Sequence, residues 1–354
     1  MGRKRLRDLG VEIGSYSTGE HNSITDIDGI KVGHKTLHYD QGGTIVRTGV
    51  TAICPHEGNV FKEKVIASSY VINGFGKTVG SIQLNELGIL ESPIMLTNTL
   101  SVGDVLKGTL YHMMEENPEI GDTTGTINIV VGECNDGYLN DIRGLHITPQ
   151  DAEDAIGNAH SGPVEEGCVG AGTGMICLGY KGGIGTSSRQ YGFGEDTYKI
   201  GALVLTNFGQ RRDLRFPFDL DHQPSDAPDG SIMIVLATDA PLSDRQLKRL
   251  AKRASFGLSR TGSYAAHGSG DIVLAFSTAH RISHSPLREE NTLPFSFIKE
   301  DGFIISTLFE MTVDAVEEAI WNSMGQAGTT TGRKGRKVEG IPLELLSQLK
   351  KGEM

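Results

Sequence analysis

A chain of 354 residues is long enough for one large α/β domain or two smaller ones, and 38% hydrophobic with 22% charged residues is the composition of a globular protein. The net charge of −11 repels phosphate backbones and anionic lipid surfaces, so we expect neither nucleic acid nor a membrane as a partner. The basic start at residues 1–7 is followed by Asp8 and Glu12 instead of an apolar run, and no stretch approaches the roughly 18 to 20 apolar residues that span a bilayer. These patterns predict a cytoplasmic protein.

Short β-branched runs predict the strands of a sheet core at residues 44–53, 65–72, 93–100, 126–132, 199–206, 231–238 and 271–277. Helical periodicity predicts helices over 102–116, near 149–160, after Ser243 and over about 312–325. Because strands and helices follow one another without a strict βαβα order, the pattern favours a layered α/β fold with stacked sheets.

Glycine is unusually common, with 47 residues, almost twice the usual share of about 7%. Gly170-Ala-Gly-Thr-Gly174 is not a dinucleotide fingerprint because its third glycine comes one residue early, and Gly74-Phe-Gly-Lys-Thr78 is not a P-loop because Val71 stands where the first glycine is required. The glycines between 167 and 185 are compatible with tight turns and close backbone contacts, or with backbone N–H groups that face a ligand pocket.

The stretch between Phe208 and Gly230 is polar and contains prolines, which predicts an exposed loop. Ser231 follows at the start of a strand-like run. A serine hydroxyl needs a nearby base, and an N-terminal serine can use its own α-amino group, which titrates near roughly pH 7.7 to 8.0. Cleavage of the Gly230–Ser231 bond would create that terminus, and glycine at 230 leaves room for attack on its carbonyl.

The sequence around this junction resembles the self-cleavage segment of the L-aminopeptidase/D-amidase-esterase family, which includes the β-aminopeptidases. The segment is Asp229-Gly-Ser-Ile-Met-Ile-Val-Leu-Ala-Thr-Asp-Ala-Pro-Leu242. Further blocks resemble the family in order, at residues 24–34, 49–53, 97–103, 136–141, 170–175, 181–189, 205–209 and 268–271. The resemblance covers about residues 22 to 330.

The resemblance implies a single αββα domain over residues 1–354, with two stacked sheets between helical layers and a topology distinct from the ordinary N-terminal-nucleophile fold. It also implies a precursor cut into chains 1–230 and 231–354, which assemble into a homo-oligomer of processed pairs. Ser231 would attack an amide or ester carbonyl of a small peptide, amide or ester with a free amino terminus. Water would then hydrolyse the acyl-enzyme.

Four further residues are candidates for the chemistry of such a site. Tyr138 and Asn207 follow or end predicted strands within matching blocks, and their neutral polar groups suit an oxyanion hole. Ser269 and Asp271 are two apart at the start of a strand, so their side chains share one face, as a proton relay requires. By resemblance Ser269 would orient or deprotonate the nucleophile, although the β-aminopeptidases have glutamate where this chain has Asp271.

Glu133, at the end of a predicted strand, is our candidate to receive the substrate's ammonium group. No cofactor or metal is expected, since the family uses none. The histidines at 34, 56, 112, 146 and 267 lack metal-site spacing, and the cysteines at 54, 134, 168 and 177 lack C-x-x-C pairs. Two alternatives stay open: an acyltransferase of the ornithine acetyltransferase type, which employs threonine, and a non-catalytic glycine-rich binding protein.

Overall fold

The computed structural model describes residues 2–215, 230–284, 292–300 and 302–349, so positions 216–229 of the predicted polar loop lie outside the described residues. The strands are β1 (Lys31–Gln41), β2 (Thr44–Cys54), β3 (Glu63–Gly74), β4 (Ile89–Leu90), β5 (Ile94–Asn98), β6 (Val130–Cys134), β7 (Ile176–Cys177), β8 (Tyr180–Lys181), β9 (Ile184–Phe193), β10 (Asp196–Asn207), β11 (Ser231–Thr238), β12 (Gly270–Ser283), β13 (Thr330–Thr331) and β14 (Lys337–Val338). The α-helices are α1 (Ser81–Leu87), α2 (Val102–Glu116), α3 (Pro149–Gly157), α4 (Asp244–Thr261), α5 (Phe303–Gln326) and α6 (Leu343–Gln348).

Two sheets stack face to face between two helical layers. The smaller sheet has the strand order β1-β2-β5-β6, and the larger one has the order β4-β3-β12-β11-β10-β9. Leu96, Leu205 and Met233 belong to the core between the sheets, while α2 and α3 pack on the smaller sheet and α4 and α5 on the larger. This αββα sandwich confirms the predicted fold class. Among the described residues, none of the helices is long and apolar enough to cross a bilayer.

Local sequence signals explain why the predicted helices begin where they do. At the start of α4, Ser243 Oγ accepts a hydrogen bond from the Gln246 backbone and Gln246 Oε1 accepts one from the Ser243 backbone, at 3.3 and 2.9 Å. Thr148 and Asp151 form the same reciprocal cap at α3. Each cap satisfies backbone N–H groups that have no partner inside the helix.

Strand β11 is the central element for the site. It spans the predicted residues, and every one of its side chains is buried. It pairs antiparallel with β10 and parallel with β12, which explains its continuous apolar run, because a strand covered on both faces needs no polar alternation.

The sequence pattern misses β1 and β9 and shortens α5. Strand β9 contains Thr186, Ser187 and Arg189, which are fully buried, so hydropathy gives no signal for a core strand. The Arg189 guanidinium is neutralised inside the protein by Glu318 of α5, 2.6 Å away. Helix α5 begins at Phe303 instead of about 312 because it is buried on several sides, which removes the amphipathic period.

The glycine-rich segment at 167–185 is a region of close backbone packing. A Cβ on Gly183 would lie 1.9 Å from the carbonyl oxygen of Gly167, and one on Gly174 would lie 2.2 Å from that of Arg47. Such distances exclude any side chain, so these contacts support the packing interpretation over the ligand-facing one.

Candidate active site

Ser231 lies at the end of the larger sheet where three strands converge. It is the first residue of β11, it pairs with Asn207 at the end of β10, and the next residue, Ile232, pairs with Asp271 of β12. The Ser231 Oγ accepts a hydrogen bond of 3.0 Å from the backbone N–H of Gly270. Sheet register therefore gathers three of the predicted site residues.

The Gly230–Ser231 junction is buried, so the prediction that it lies in an exposed loop is wrong. Ser231 is only 7% exposed, and Gly230 is also buried. A Cβ on Gly230 would lie 1.6 Å from the backbone carbonyl oxygen of Asn207. Polar composition predicted the loop, but the pairing of Ser231 with Asn207 places Gly230 against the backbone of Asn207, where only glycine fits.

Ser269 connects the junction to Asp271. Its Oγ lies 2.5 Å from Asp271 Oδ1 and also makes a very short contact with the carbonyl oxygen of Gly230. A hydroxyl has one proton, so it can donate to only one of these two acceptors. Both contacts can be hydrogen bonds at the same time only when Asp271 is protonated. Asp271 then donates to Ser269 Oγ, and Ser269 donates to the Gly230 carbonyl oxygen. The shorter aspartate thus still reaches Ser269.

The burial of Asp271 supports this arrangement. Loss of solvation raises the pKa of Asp271 to about 6, against the hydrogen bonds of Ser269 and the Ile232 backbone, which lower it. Near neutral pH the carboxyl group can therefore both accept and release a proton, which a relay next to a nucleophile requires.

Asn207 lies directly beside the junction as the strand partner of Ser231. Its Oδ1 accepts from the Ile176 backbone at 2.9 Å and its Nδ2 donates to the carbonyl oxygen of Asn135 at 3.0 Å. The same Nδ2 is 3.0 Å from the position that a Cβ on Gly230 would take, which places this amide group beside that peptide. Tyr138 packs against a small apolar cluster that includes Ile176, the residue whose backbone N–H donates to Asn207.

Glu133 lies on the β12 side of the junction. It is 4% exposed, its Oε1 accepts from the backbone of Lys77 at 2.9 Å, and its Oε2 accepts from the hydroxyl of Thr99. A Cβ on Gly76 would be 3.6 Å from Oε1 and 3.8 Å from Cα of Gly270. Glu133 is thus a buried carboxylate separated by one glycine from the residue that contacts Ser231.

Three residues that the sequence pattern did not mark as candidates each contact a candidate residue: Thr99, Asn135 and Gly270. Thr99 and Asn135 directly follow β5 and β6, which are parallel neighbours, so both segments emerge at the same edge of the smaller sheet. Recognition of that parallel pairing could have found Thr99, because the register places Thr97 opposite Glu133.

Three of the four cysteines, Cys54, Cys134 and Cys177, are poor candidates for a nucleophile. Burial raises the pKa of the Cys54 thiol to about 11 and that of Cys177 to about 12, and it holds the pKa of Cys134 well above its usual range. These thiols are protonated at neutral pH, and the thiolate is the reactive form. In the residues that the structure describes, no group of three His, Cys, Asp or Glu side chains is placed to hold a metal ion.

Comparison with known proteins agrees with this geometry. The profile of peptidase family S58 matches residues 22–338. The chain belongs to peptidase family S58. It is 39% identical to a β-peptidyl aminopeptidase of Sphingosinicella microcystinivorans, over 98% of this chain and 92% of that protein. The chain is therefore a hydrolase of the aminopeptidase class, and the acyltransferase and binding-protein alternatives are not favoured.

Two solved structures share the whole fold. A protein of Pyrococcus horikoshii is 48% identical, with a TM-score of 0.91 over 98% of this chain and 99% of that one. The L-aminopeptidase D-Ala-esterase/amidase of Ochrobactrum anthropi is 38% identical, with the same TM-score over 98% of each chain. The latter is described as a prototype of the serine aminopeptidases and a variant of the Ntn hydrolase fold, which agrees with the stacked sheets seen here.

Proposed function

We propose that this S58 aminopeptidase cleaves its own Gly230–Ser231 bond and then uses Ser231 as an N-terminal nucleophile. Ser231 Oγ attacks the Gly230 carbonyl carbon, and the peptide nitrogen leaves as the free α-amine of Ser231. The resulting ester between Gly230 and Ser231 Oγ is hydrolysed by water, which yields the Gly230 carboxyl group and restores the hydroxyl. The products are the chains 1–230 and 231–354 of one αββα domain.

One observation supports this proposal above all others: the scissile peptide is buried among the groups that its cleavage requires. Ser231 supplies the hydroxyl, Ser269 contacts the Gly230 carbonyl oxygen, and Asn207 lies beside the same residue. An ordinary turn between a loop and a strand would face solvent, and residue 230 would then have room for a side chain.

The same groups would then act on the substrate. Ser231 attacks the carbonyl carbon, and its proton passes to its own α-amine or, through Ser269, to Asp271. Asn207 and Tyr138 stabilise the oxyanion, the leaving amine takes a proton, and water hydrolyses the acyl-enzyme. Glu133 binds the ammonium group of the substrate, since a buried carboxylate favours an opposite charge. Substrates are small peptides or aminoacyl amides and esters.

A panel of L-, D- and β-aminoacyl p-nitroanilides tests this function. We expect hydrolysis of at least one member, and a loss of about a hundredfold in kcat/KM when its amine is acetylated, because the buried Glu133 then lacks its partner. Glu133→Gln should lower kcat/KM for the free amine without lowering it for the acetylated analogue. Equal hydrolysis of both substrates by the wild type would contradict the aminopeptidase site proposed here.

The pH dependence should identify Asp271. We expect kcat/KM to rise as the pH increases through about 6, because the raised pKa keeps Asp271 protonated below that pH and unable to accept a proton. Asp271→Asn should remove this rise and lower kcat/KM by about a hundredfold.

Asp239→Asn is the matched control. Burial also raises the pKa of Asp239, but this residue follows the far end of β11, where it accepts a hydrogen bond from the Lys199 backbone. Its variant should keep the rise. A rise near pH 6 that persists in Asp271→Asn would assign the titration to another group.

We also propose that the enzyme is cytoplasmic and forms a homo-oligomer of processed pairs. All four cysteines are free thiols, which suits a reducing compartment. Val71, Ile82 and Leu87 of β3 and α1 are large apolar side chains that are 51%, 87% and 61% exposed, and apolar surface of this kind favours association. Light scattering on the purified protein measures the assembly.

A further inference from the structure

A pocket of about 240 Å³ adjoins the proposed oxyanion residues, and apart from Tyr138 its lining has no role in the proposed mechanism. Its lining includes Tyr138, Ile176, Arg211, Lys337 and Glu339. The backbone N–H of Ile176 donates to Asn207, and Asn207 is the strand partner of Ser231. Asn207 therefore connects the pocket wall to Ser231.

The pocket and Glu133 lie towards different neighbours of strand β11. Glu133 neighbours Gly76, which packs against Gly270 and Ile272 of β12, whereas Ile176 contacts the end of β10. Strand β11 lies between β12 and β10 in the sheet. A substrate held by its ammonium group at Glu133 and by its carbonyl at Ser231 can therefore extend towards the pocket.

Arg211 is held in the pocket wall in a fixed orientation. Its guanidinium carbon lies 4.2 Å from the centre of the Tyr180 ring, and one of its nitrogens donates to the Gly179 carbonyl oxygen at 3.3 Å. A guanidinium has five N–H donors, and this bond engages one of them. Stacking on an aromatic ring leaves the planar edge suited to a carboxylate.

Lys337 is a second cation in the lining of the pocket, and Arg336 lies behind the lining residue Tyr138. The Arg336 guanidinium lies 4.4 Å from the centre of the Tyr138 ring and donates to the Tyr138 carbonyl oxygen at 3.1 Å. Lys337 is 59% exposed, and its ammonium nitrogen is 3.7 Å from Glu339. Among the described residues, the lining thus holds two cations, Arg211 and Lys337, and one carboxylate, Glu339, in a chain whose net charge is −11, so this lining favours an anionic group.

We propose that this pocket binds a carboxylate on the leaving group, so that the preferred substrates are short peptides with a carboxylate on the residue after the scissile bond. The inference rests on the proposed function of Ser231 and Glu133. The carboxylate is either the free C-terminus of a dipeptide or an acidic side chain, and both would pair with Arg211 in the same way. A dipeptide would then be held at both ends by opposite charges.

Three substrates that share the best aminoacyl group of the p-nitroanilide panel test this inference. They are its dipeptide with alanine, the carboxamide of that dipeptide, and the dipeptide carboxamide with aspartate in place of alanine. We expect kcat/KM to be about tenfold higher for at least one carboxylate substrate than for the alanine carboxamide, mainly through KM. Whichever carboxylate is preferred identifies the terminal or the side-chain source.

Variants then locate the effect. Arg211→Gln should lower the preference about tenfold, Lys337→Gln should lower it less, and about 0.5 M salt should reduce it in the wild type by screening. The matched control is Arg245→Gln, since Arg245 is 64% exposed on α4 and pairs with Glu300. This control should keep the wild-type preference.

The outcomes separate the two proposals. Equal kcat/KM for all three substrates, or a preference that survives in both Arg211→Gln and Lys337→Gln, would overturn the carboxylate pocket while the aminopeptidase mechanism stands. If the p-nitroanilides were not hydrolysed either, the proposed function itself would fail. Should Arg211→Gln not fold, the exposed Lys337→Gln variant together with the salt series decides the question.

Discussion

Ser231→Ala is expected to accumulate as a single uncleaved chain with no measurable aminopeptidase activity. The side chain that attacks Gly230 is then missing, and the α-amine that would serve as a base is never released. Loss of a catalytic serine removes the covalent pathway, so we expect kcat/KM to fall at least about a thousandfold. A denaturing gel, intact mass and the p-nitroanilide assay measure both effects on one preparation.

Two companion variants sharpen this result. Ser231→Cys keeps a nucleophile, so it should be cleaved slowly and regain part of the activity. Ser255→Ala changes a partly exposed serine of α4 whose Oγ donates to the Lys252 carbonyl oxygen in its own helix, and it should match the wild type in both assays. A wild-type protein that is active as one intact chain would refute self-processing, and activity that survives in Ser231→Ala would refute the nucleophile.

Gly230→Ala should block chain cleavage while Ser231 remains in place. The added methyl group would lie 1.6 Å from the backbone oxygen of Asn207, which is far inside van der Waals contact. Because the obstacle is a strand backbone, the scissile peptide must move away from Ser231, Ser269 and Asn207. We expect the cleavage rate to fall at least about a hundredfold, since small displacements of reacting groups are costly. A time course by intact mass measures it.

Gly103→Ala provides the steric control. A Cβ at Gly103 meets nothing within 4 Å, and the residue lies in α2, where alanine is the better helix former. This variant should be cleaved like the wild type. Circular dichroism should show that Gly230→Ala is folded though uncleaved, and cleavage of Gly230→Ala at the wild-type rate would contradict the geometry described here.

The sequence predicted best those features that depend on residues close together in the chain. Strand β11, helix α2 and the caps at Thr148 and Ser243 agree with the structure because periodicity and capping act within one element. The 269–271 pair was also predictable, since side chains two apart on a strand share a face. Strand β9 was not, because its buried polar side chains are stabilised by partners on α5, far away in the chain.

By itself the sequence determined the family, the layered fold class and the start of a core strand at Ser231. Only the tertiary structure decided that Gly230 is buried, that Asn207 of β10 lies opposite Ser231 of the adjacent strand β11, and that Glu133 lies one glycine away from Gly270, which contacts Ser231. It also decided that Arg211 and Lys337 line one pocket. These relations depend on strand register and on the stacking of two sheets, which join residues far apart in the chain, whereas hydrophobic periodicity reports only each segment's own buried face.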